Sequence, residues 1–204
     1  MTTSTIPDLR EIYAEVHRVN EANGWWEAER NFGELCWLML SELAEAFEHY
    51  REHAPLVFYH EPKLRQDGLA EEDVFGNWLA SSFVSKPDGV AVEIADCAIR
   101  AFDTLWQLPT DHLDFNAVVG RADLTSAEIP ENLGQAFMRF AKQLVKAEHA
   151  EPDSPSQAAV HVLFVIVMCA ELAAKLGCEN FWEILQEKVA YNATRGYKHG
   201  GKVC

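Results

Sequence analysis

GVAVEIADCAIRAFDTLW, residues 89–106, is the stretch on which the reading of the chain turns. It is apolar except for Glu93, Asp96, Arg100 and Asp103, spaced by three, four and three residues. At about 100° per residue, these steps put all four charges on one narrow stripe of a helix. A solvated helix face is normally broader than one residue. The stripe therefore reads as a line of charge aimed at a partner, on a helix otherwise built for the interior.

The partner lies upstream, in FGELCWLMLSELAEAFEHYRE, residues 32–52. Glu42 and Glu45 stand three apart and share one side of a helix with Leu35, Leu38 and His49. Cys36, Leu40, Leu43, Phe47 and Tyr50 are expected to form the core stripe, roughly opposite. Antiparallel packing of the two helices sets a Glu-x-x-Glu pair against a Glu-x-x-Asp pair. Four carboxylates in one low-dielectric spot cannot all stay ionised unless a cation shares the charge. Hard oxygen ligands select Mg²⁺ or Mn²⁺, so Glu42, Glu45, Glu93 and Asp96 are the expected metal ligands. Ordinary solvated faces are the plain alternative, since Glu is a common surface helix residue; two such pairs in one helical chain favour the cage. A di-iron bundle needs Glu-x-x-His pairs, and none of the eight histidines has a Glu three residues before it. There is no G-x-x-x-x-G-K-[ST] loop and no H-E-x-x-H pair.

Helical periodicity continues along the chain, with helices expected at 7–23, 31–52, 88–107, 131–149, 155–176 and 179–194. The expected fold class is all-α, a helical bundle in one domain over 1–204, with an insertion at about 53–87 holding one short helix near 71–81. A degenerate repeat of the helix pair is expected. A shift of 101 sets Gly33 on Gly134, Leu43 on Leu144 and Ala46 on Ala147; a shift of 68 sets Glu93 on His161, Asp96 on Phe164 and Asp103 on Glu171. The second copy keeps the apolar pattern and loses most of the acids.

Composition narrows the partners. With 17 Lys and Arg against 32 Asp and Glu, the net charge is -15, which argues against a nucleic-acid or membrane-surface partner. The five cysteines are odd in number and form no C-x-x-C pair, so they are expected to be reduced core residues of a cytoplasmic protein. The N-terminal segment shows no apolar h-region, and the longest apolar run, VLFVIVMCA, is interrupted at Glu171 well short of a bilayer span.

At the acid pairs the sequence resembles the MazG-like family of all-α nucleoside triphosphate pyrophosphatases. ELAE (Glu42, Glu45) and EIAD (Glu93, Asp96) match the family's E-x-x-E and E-x-x-D, and Asp103 stands where a polar residue follows seven past the last Asp. The lead-in GWWEAERNF and the ending KVAYNATRGYKHGGK are similar to those of MazG-like proteins of phages and bacteria. The long spacing between the acid pairs departs from compact members. The resemblance implies a MazG-like bundle that hydrolyses a nucleoside triphosphate between the α and β phosphates, giving a monophosphate and pyrophosphate. A purine deoxynucleotide such as dGTP is the expected substrate.

An acidic site that holds a triphosphate also needs cations. Lys188, Arg195, Lys198 and Lys202, with Asn192 among them, supply these near the end of a chain short of cations elsewhere. Glu42 is the expected proton acceptor. Trp25, Trp26, Arg30 and Asn31 are candidates for the base and sugar pocket, with core packing expected for at least one Trp; Asp103 joins the substrate-binding set through the resemblance. Helices 131–149 and 155–176 are apolar nearly all round, more than one chain readily buries, and a homodimer or homotetramer is expected. The competing readings are a nucleotide-binding regulatory protein without turnover and a helical oligomerisation module.

Overall fold

Asp8 starts the first helix by accepting a hydrogen bond from the Arg10 amide at 2.9 Å, which meets one of the amides a helix start leaves unpaired. That helix, α1, spans Leu9–Ala22. The computed structural model describes residues 7–62, 84–115 and 132–198. Beyond α1 these form α2 (Phe32–Arg51), β1 (Phe58–His60), β2 (Lys86–Asp88), α3 (Val90–Leu105), α4 (Leu133–Ala150), α5 (Pro155–Lys175) and α6 (Phe181–Ala193). Among the described residues the chain is all-α apart from one two-stranded ladder, and the six long helices expected are present with ends within about two residues of those read from periodicity and caps. The expected helix near 71–81, Lys202 and Cys204 lie outside the described residues.

α3 is the central element, packed against α1, α2, α5 and α6. α4 packs on α5 and on α2, so α2, α3, α5 and α4 close a four-helix ring with α1 and α6 covering the remaining side of α3. The register expected for the repeat coincides with burial. Asn31 and Asn132, 101 apart, each cap a helix by accepting from the amide three residues on. Leu35, Met39, Leu43 and Ala46 are buried on α2, and so are their counterparts Ala136, Phe140, Leu144 and Ala147 on α4.

The ladder ties the ends of the insertion together. β1 and β2 run antiparallel, Phe58 opposite Asp88 and His60 opposite Lys86. No strand was expected: three residues, one of them a proline, carry no readable alternation. Gly89 follows at φ +115°, and a Cβ there would lie 2.7 Å from the Pro55 carbonyl oxygen. Only glycine lets the 55–56 backbone cross so near, and the Ala91 amide then donates to the Leu56 carbonyl at 2.9 Å. This crossing fixes the start of α3 against the end of α2.

Two expectations about packing are corrected. Of the stripe expected on α2, Cys36 and Leu43 are buried with Leu35, Met39, Glu42 and Ala46, and Leu40 is partly buried, while Phe47 and Tyr50 are 37% and 49% exposed. The acid-bearing side faces α3, which leaves the aromatic stripe at the rim, where Phe47 meets Phe137 of α4. The apolar helix α5 is buried within one chain by α3, α4 and α6, so its burial needs no second subunit. It has the length and hydropathy to cross a membrane, and most of it lies inside the bundle. Exposed apolar side chains sit instead on α2 and α4: Trp37, Met138 and Val145. Cys36, Cys97, Cys169 and Cys178 are free and buried, as expected.

Candidate functional site

α2 and α3 run antiparallel, because Arg30, just before α2, reaches Asp103 near the end of α3, and His49, near the end of α2, reaches Asp88 just before α3. Between these ends the two acid pairs meet. One carboxylate oxygen each from Glu42, Glu45 and Glu93 lies within 4.8 Å of the others, and with Asp96 they line a cavity of about 150 Å³. Glu93 is 2% exposed. Burial, then the charges of Asp96 and Glu42 and a hydrogen bond to Asp88, push its carboxyl up to about 9, against the pull of Lys188. Burial and Asp96 also raise Glu42, against the pull of Arg100. Glu93 thus holds its proton well above the usual carboxylate range, and Glu42 is shifted in the same direction.

Cations line the same cavity. Arg100, one turn after Asp96 on α3, donates from Nε to Glu42 at 3.0 Å. Lys188 comes from α6, is 3% exposed, and places Nζ 2.8 Å from Asp96. Burial works against its charge, and Asp96, Glu93 and Asp88 outweigh that and raise its pKa. Lys86 of β2 and Arg195, just after α6, complete the set; burial lowers Arg195 from its ordinary value. Asn20 of α1 and Asn192 of α6 line the cavity as well.

Asp88 anchors one edge. Its two oxygens meet His49 Nε2, His60 Nε2 and Lys86 Nζ at 2.7–2.8 Å, and the Gly89 amide at 2.8 Å. Burial opposes its charge, but Lys86, the Gly89 amide and His60 hold the carboxyl below the usual range. His49, Asp88 and Glu93 form a second group with ligand atoms within 4.8 Å of one another, so Glu93 belongs to both clusters.

The sequence-predicted residues therefore divide. Glu42, Glu45, Glu93, Asp96, Lys188, Asn192 and Arg195 share one cavity. Trp26, Arg30 and Asn31 line a second cavity, of about 490 Å³, whose lining has no residue in common with the first. Asn31 is also the α2 cap. Trp25 is buried in the core, the fate expected for one of the two tryptophans. Asp103, predicted to bind substrate, is 1% exposed and accepts from Trp26 Nε1 at 2.9 Å and from Arg30 at 3.0 Å. Its oxygens are spent on holding the segment between α1 and α2, and it does not line the acidic cavity. Lys198 is likewise outside it: its amide donates to the Asn23 carbonyl at 2.9 Å and its ammonium lies 3.5 Å from Glu27. Tyr197 bonds the same carboxylate and lays its ring against Gly24.

Three polar cavity residues were missed as site residues. Arg100 was visible in the α3 stripe, and Asn20 occupies an apolar-face position of α1 in register with Ile12 and Val16. Lys86 had no signal, because its place depends on a ladder the sequence does not announce.

Chemically, the cavity combines oxygen donors suited to a hard divalent cation with lysine and arginine side chains suited to phosphate oxygens. Within the chain the two sets pair with each other; a metal-bound polyphosphate brings each of them opposite charge. The chain matches no protein-family model, no curated protein and no solved structure.

Proposed function

We propose that this chain is a metal-dependent nucleoside triphosphate pyrophosphohydrolase with a MazG-like bundle, acting between the α and β phosphates. The observation that carries the reading is the meeting of Glu-x-x-Glu and Glu-x-x-Asp across α2 and α3, with Glu42 and Glu93 buried, Asp96 partly buried, Glu45 exposed, and Glu93 pushed up to about 9. Such a cluster is costly on its own and is relieved by a divalent cation. Glu42, Glu45, Glu93 and Asp96 would hold Mg²⁺ or Mn²⁺, which supplies charge neutralisation at phosphate oxygens and a lowered pKa for water.

The chain's own residues divide the remaining work. Lys188, Arg195 and Lys86 bind phosphate oxygens and favour departure of the β and γ phosphates together. Glu42 lies in the cavity with a raised pKa, which brings it toward the range of a general base at neutral pH. It takes the proton of the water whose oxygen bonds to the α phosphorus; the bond from that phosphorus to the bridging oxygen breaks, and pyrophosphate leaves. The expected substrate is a purine deoxynucleoside triphosphate such as dGTP.

A second reading, a nucleotide-binding regulatory protein without turnover, has one observation in its favour: Arg100 and Lys188 already pair with two of the four acids. Incubation with each common NTP and dNTP plus Mg²⁺ or Mn²⁺, with products resolved by chromatography, separates the two. Monophosphate and pyrophosphate are expected. Inorganic phosphate as the first and only small product would reject the pyrophosphohydrolase reading, and tight binding without products would support the regulatory one.

A further inference from the structure

Asn20 and Asn192 carry polar atoms that the scheme above leaves unused. Asn20 lies on α1 and Asn192 on α6, both line the acidic cavity, and they are 6% and 9% exposed. Neither Asn20 Nδ2 nor Asn192 Oδ1 has a hydrogen-bond partner among the described residues. A buried amide group left unmet lowers stability, so native proteins rarely keep one without a reason. The two residues are neighbours: Asn23 Nδ2, about one turn after Asn20, donates to the main-chain oxygen of Asn192 at 3.1 Å.

One waiting atom is a donor and the other an acceptor, and exchanging nitrogen and oxygen in both amides together again leaves one of each. Phosphate oxygens near neutral pH mainly accept, and the cavity's lysines and arginines already suit them. A hydroxyl donates and accepts at once. A base edge also does both, but the cavity has no aromatic lining side chain among the described residues, and Ile99 is its one apolar wall. It therefore offers a base no ring to stack on. A volume of about 150 Å³ also suits part of a nucleotide better than the whole.

We propose that Asn20 and Asn192 read a pentose hydroxyl of the ligand, Asn20 Nδ2 donating to its oxygen and Asn192 Oδ1 accepting its hydrogen. The inference rests on the nucleotide reading of the acidic cavity and narrows it to nucleotides that keep this hydroxyl, whichever base they carry. Asn20 becomes a specificity residue, and its unmet amide is a stability cost of the unliganded fold.

The test uses non-hydrolysable α,β-methylene triphosphates of the four common bases, each as the ribo, 2′-deoxy and 3′-deoxy form, with Mg²⁺. Affinities are read by calorimetry for the parent chain and for Asn20→Ala. Loss of the 3′-hydroxyl, the one a deoxynucleotide keeps, is expected to weaken parental binding by about 10-fold for every base, the scale of one hydrogen-bonded contact. In Asn20→Ala that penalty falls below about 3-fold, while the Tm stays level or rises by a few degrees because a buried unmet donor is gone. Equal parental affinity for all sugar forms overturns the proposal and leaves the nucleotide reading standing. A penalty that varies with the base assigns the amides to a base edge and also overturns it. So does a fall in Tm for Asn20→Ala, which would make the side chain structural. A parent that binds none of the analogues overturns the nucleotide reading and this inference with it.

Discussion

Replacing Glu93 with glutamine should stabilise the metal-free protein while removing its activity. In the fold the carboxyl is pushed up to about 9, from an ordinary value of 4.5. Between those values the folded state holds a proton that the unfolded state releases, so the group costs stability as pH rises from about 4.5 and the cost levels off above about 9. At about 1.4 kcal/mol per unit, the cost at pH 7 is roughly 3 kcal/mol, and at pH 5 it is below about 1 kcal/mol. Glutamine matches the protonated side chain in shape, and its amide can donate to Asp88 as the protonated carboxyl does, without the penalty. For a chain of this size, roughly 3 kcal/mol corresponds to about 6–12 °C in Tm. Thermal unfolding in excess chelator from pH 5 to 9 is the assay. The parent should lose stability across that window, the variant should lose less because Glu42 keeps its own raised carboxyl, and their gap should widen with pH. A parental stability that stays level or climbs with pH would refute the account of Glu93, and with it the argument that a divalent cation relieves this cluster. Adding Mg²⁺ should stabilise the parent and leave Glu93→Gln nearly unchanged.

Glu42→Gln and Asp96→Asn should each lower turnover by at least about 100-fold with the helical circular dichroism retained, since each removes a charged ligand at constant volume; near-parental rates in both would refute the metal cage. Gly89→Ala should cost roughly 2–4 kcal/mol in denaturant unfolding, because it combines a positive φ with a Cβ against the Pro55 and Leu56 oxygens. Asp103→Asn should lower stability by about 3 kcal/mol by stripping Arg30 of its buried counter-charge, and a loss confined to activity would return Asp103 to the substrate site. Light scattering should give a dimer or tetramer at micromolar concentration, and the double change Trp37→Glu with Met138→Glu should shift it toward monomer by charging the exposed apolar face of α2 and α4. A monomeric parent would reject the assembly.

Helix positions were readable because period, caps and breakers agree. Asp8 and Asn31 cap where they stand in the sequence, and the α3 stripe is visible because nothing else on that helix is charged. The metal-ligand candidates could be named for the same reason: a carboxylate among apolar residues is conspicuous. What escaped were features created by elements distant in sequence. The last turns of the expected α2 core stripe were misjudged: with the acid-bearing side turned to α3 as expected, Phe47 and Tyr50 are left at the rim. Trp26 and Arg30 read as ligand contacts from residue type and Asp103 from the resemblance, and what the sequence did not announce is that a knot of hydrogen bonds joins the three beside a separate cavity. Lys86 reaches the cavity only because β1 pairs with β2, and two three-residue strands leave too little pattern to detect.

The pairing of Lys188 with Asp96 also sets a schedule for biosynthesis. The acids of α2 and α3 leave the ribosome well before α6, and at about 5–20 residues per second the delay between Asp96 and Lys188 is about 5–20 s. During that interval a nascent chain bears the carboxylates with one of their main internal counter-charges still unmade. The first helix pair should therefore stay open and hydrated on the ribosome, and its closure should await the last helix, so that chains cut short before Lys188 should leave these acids in water.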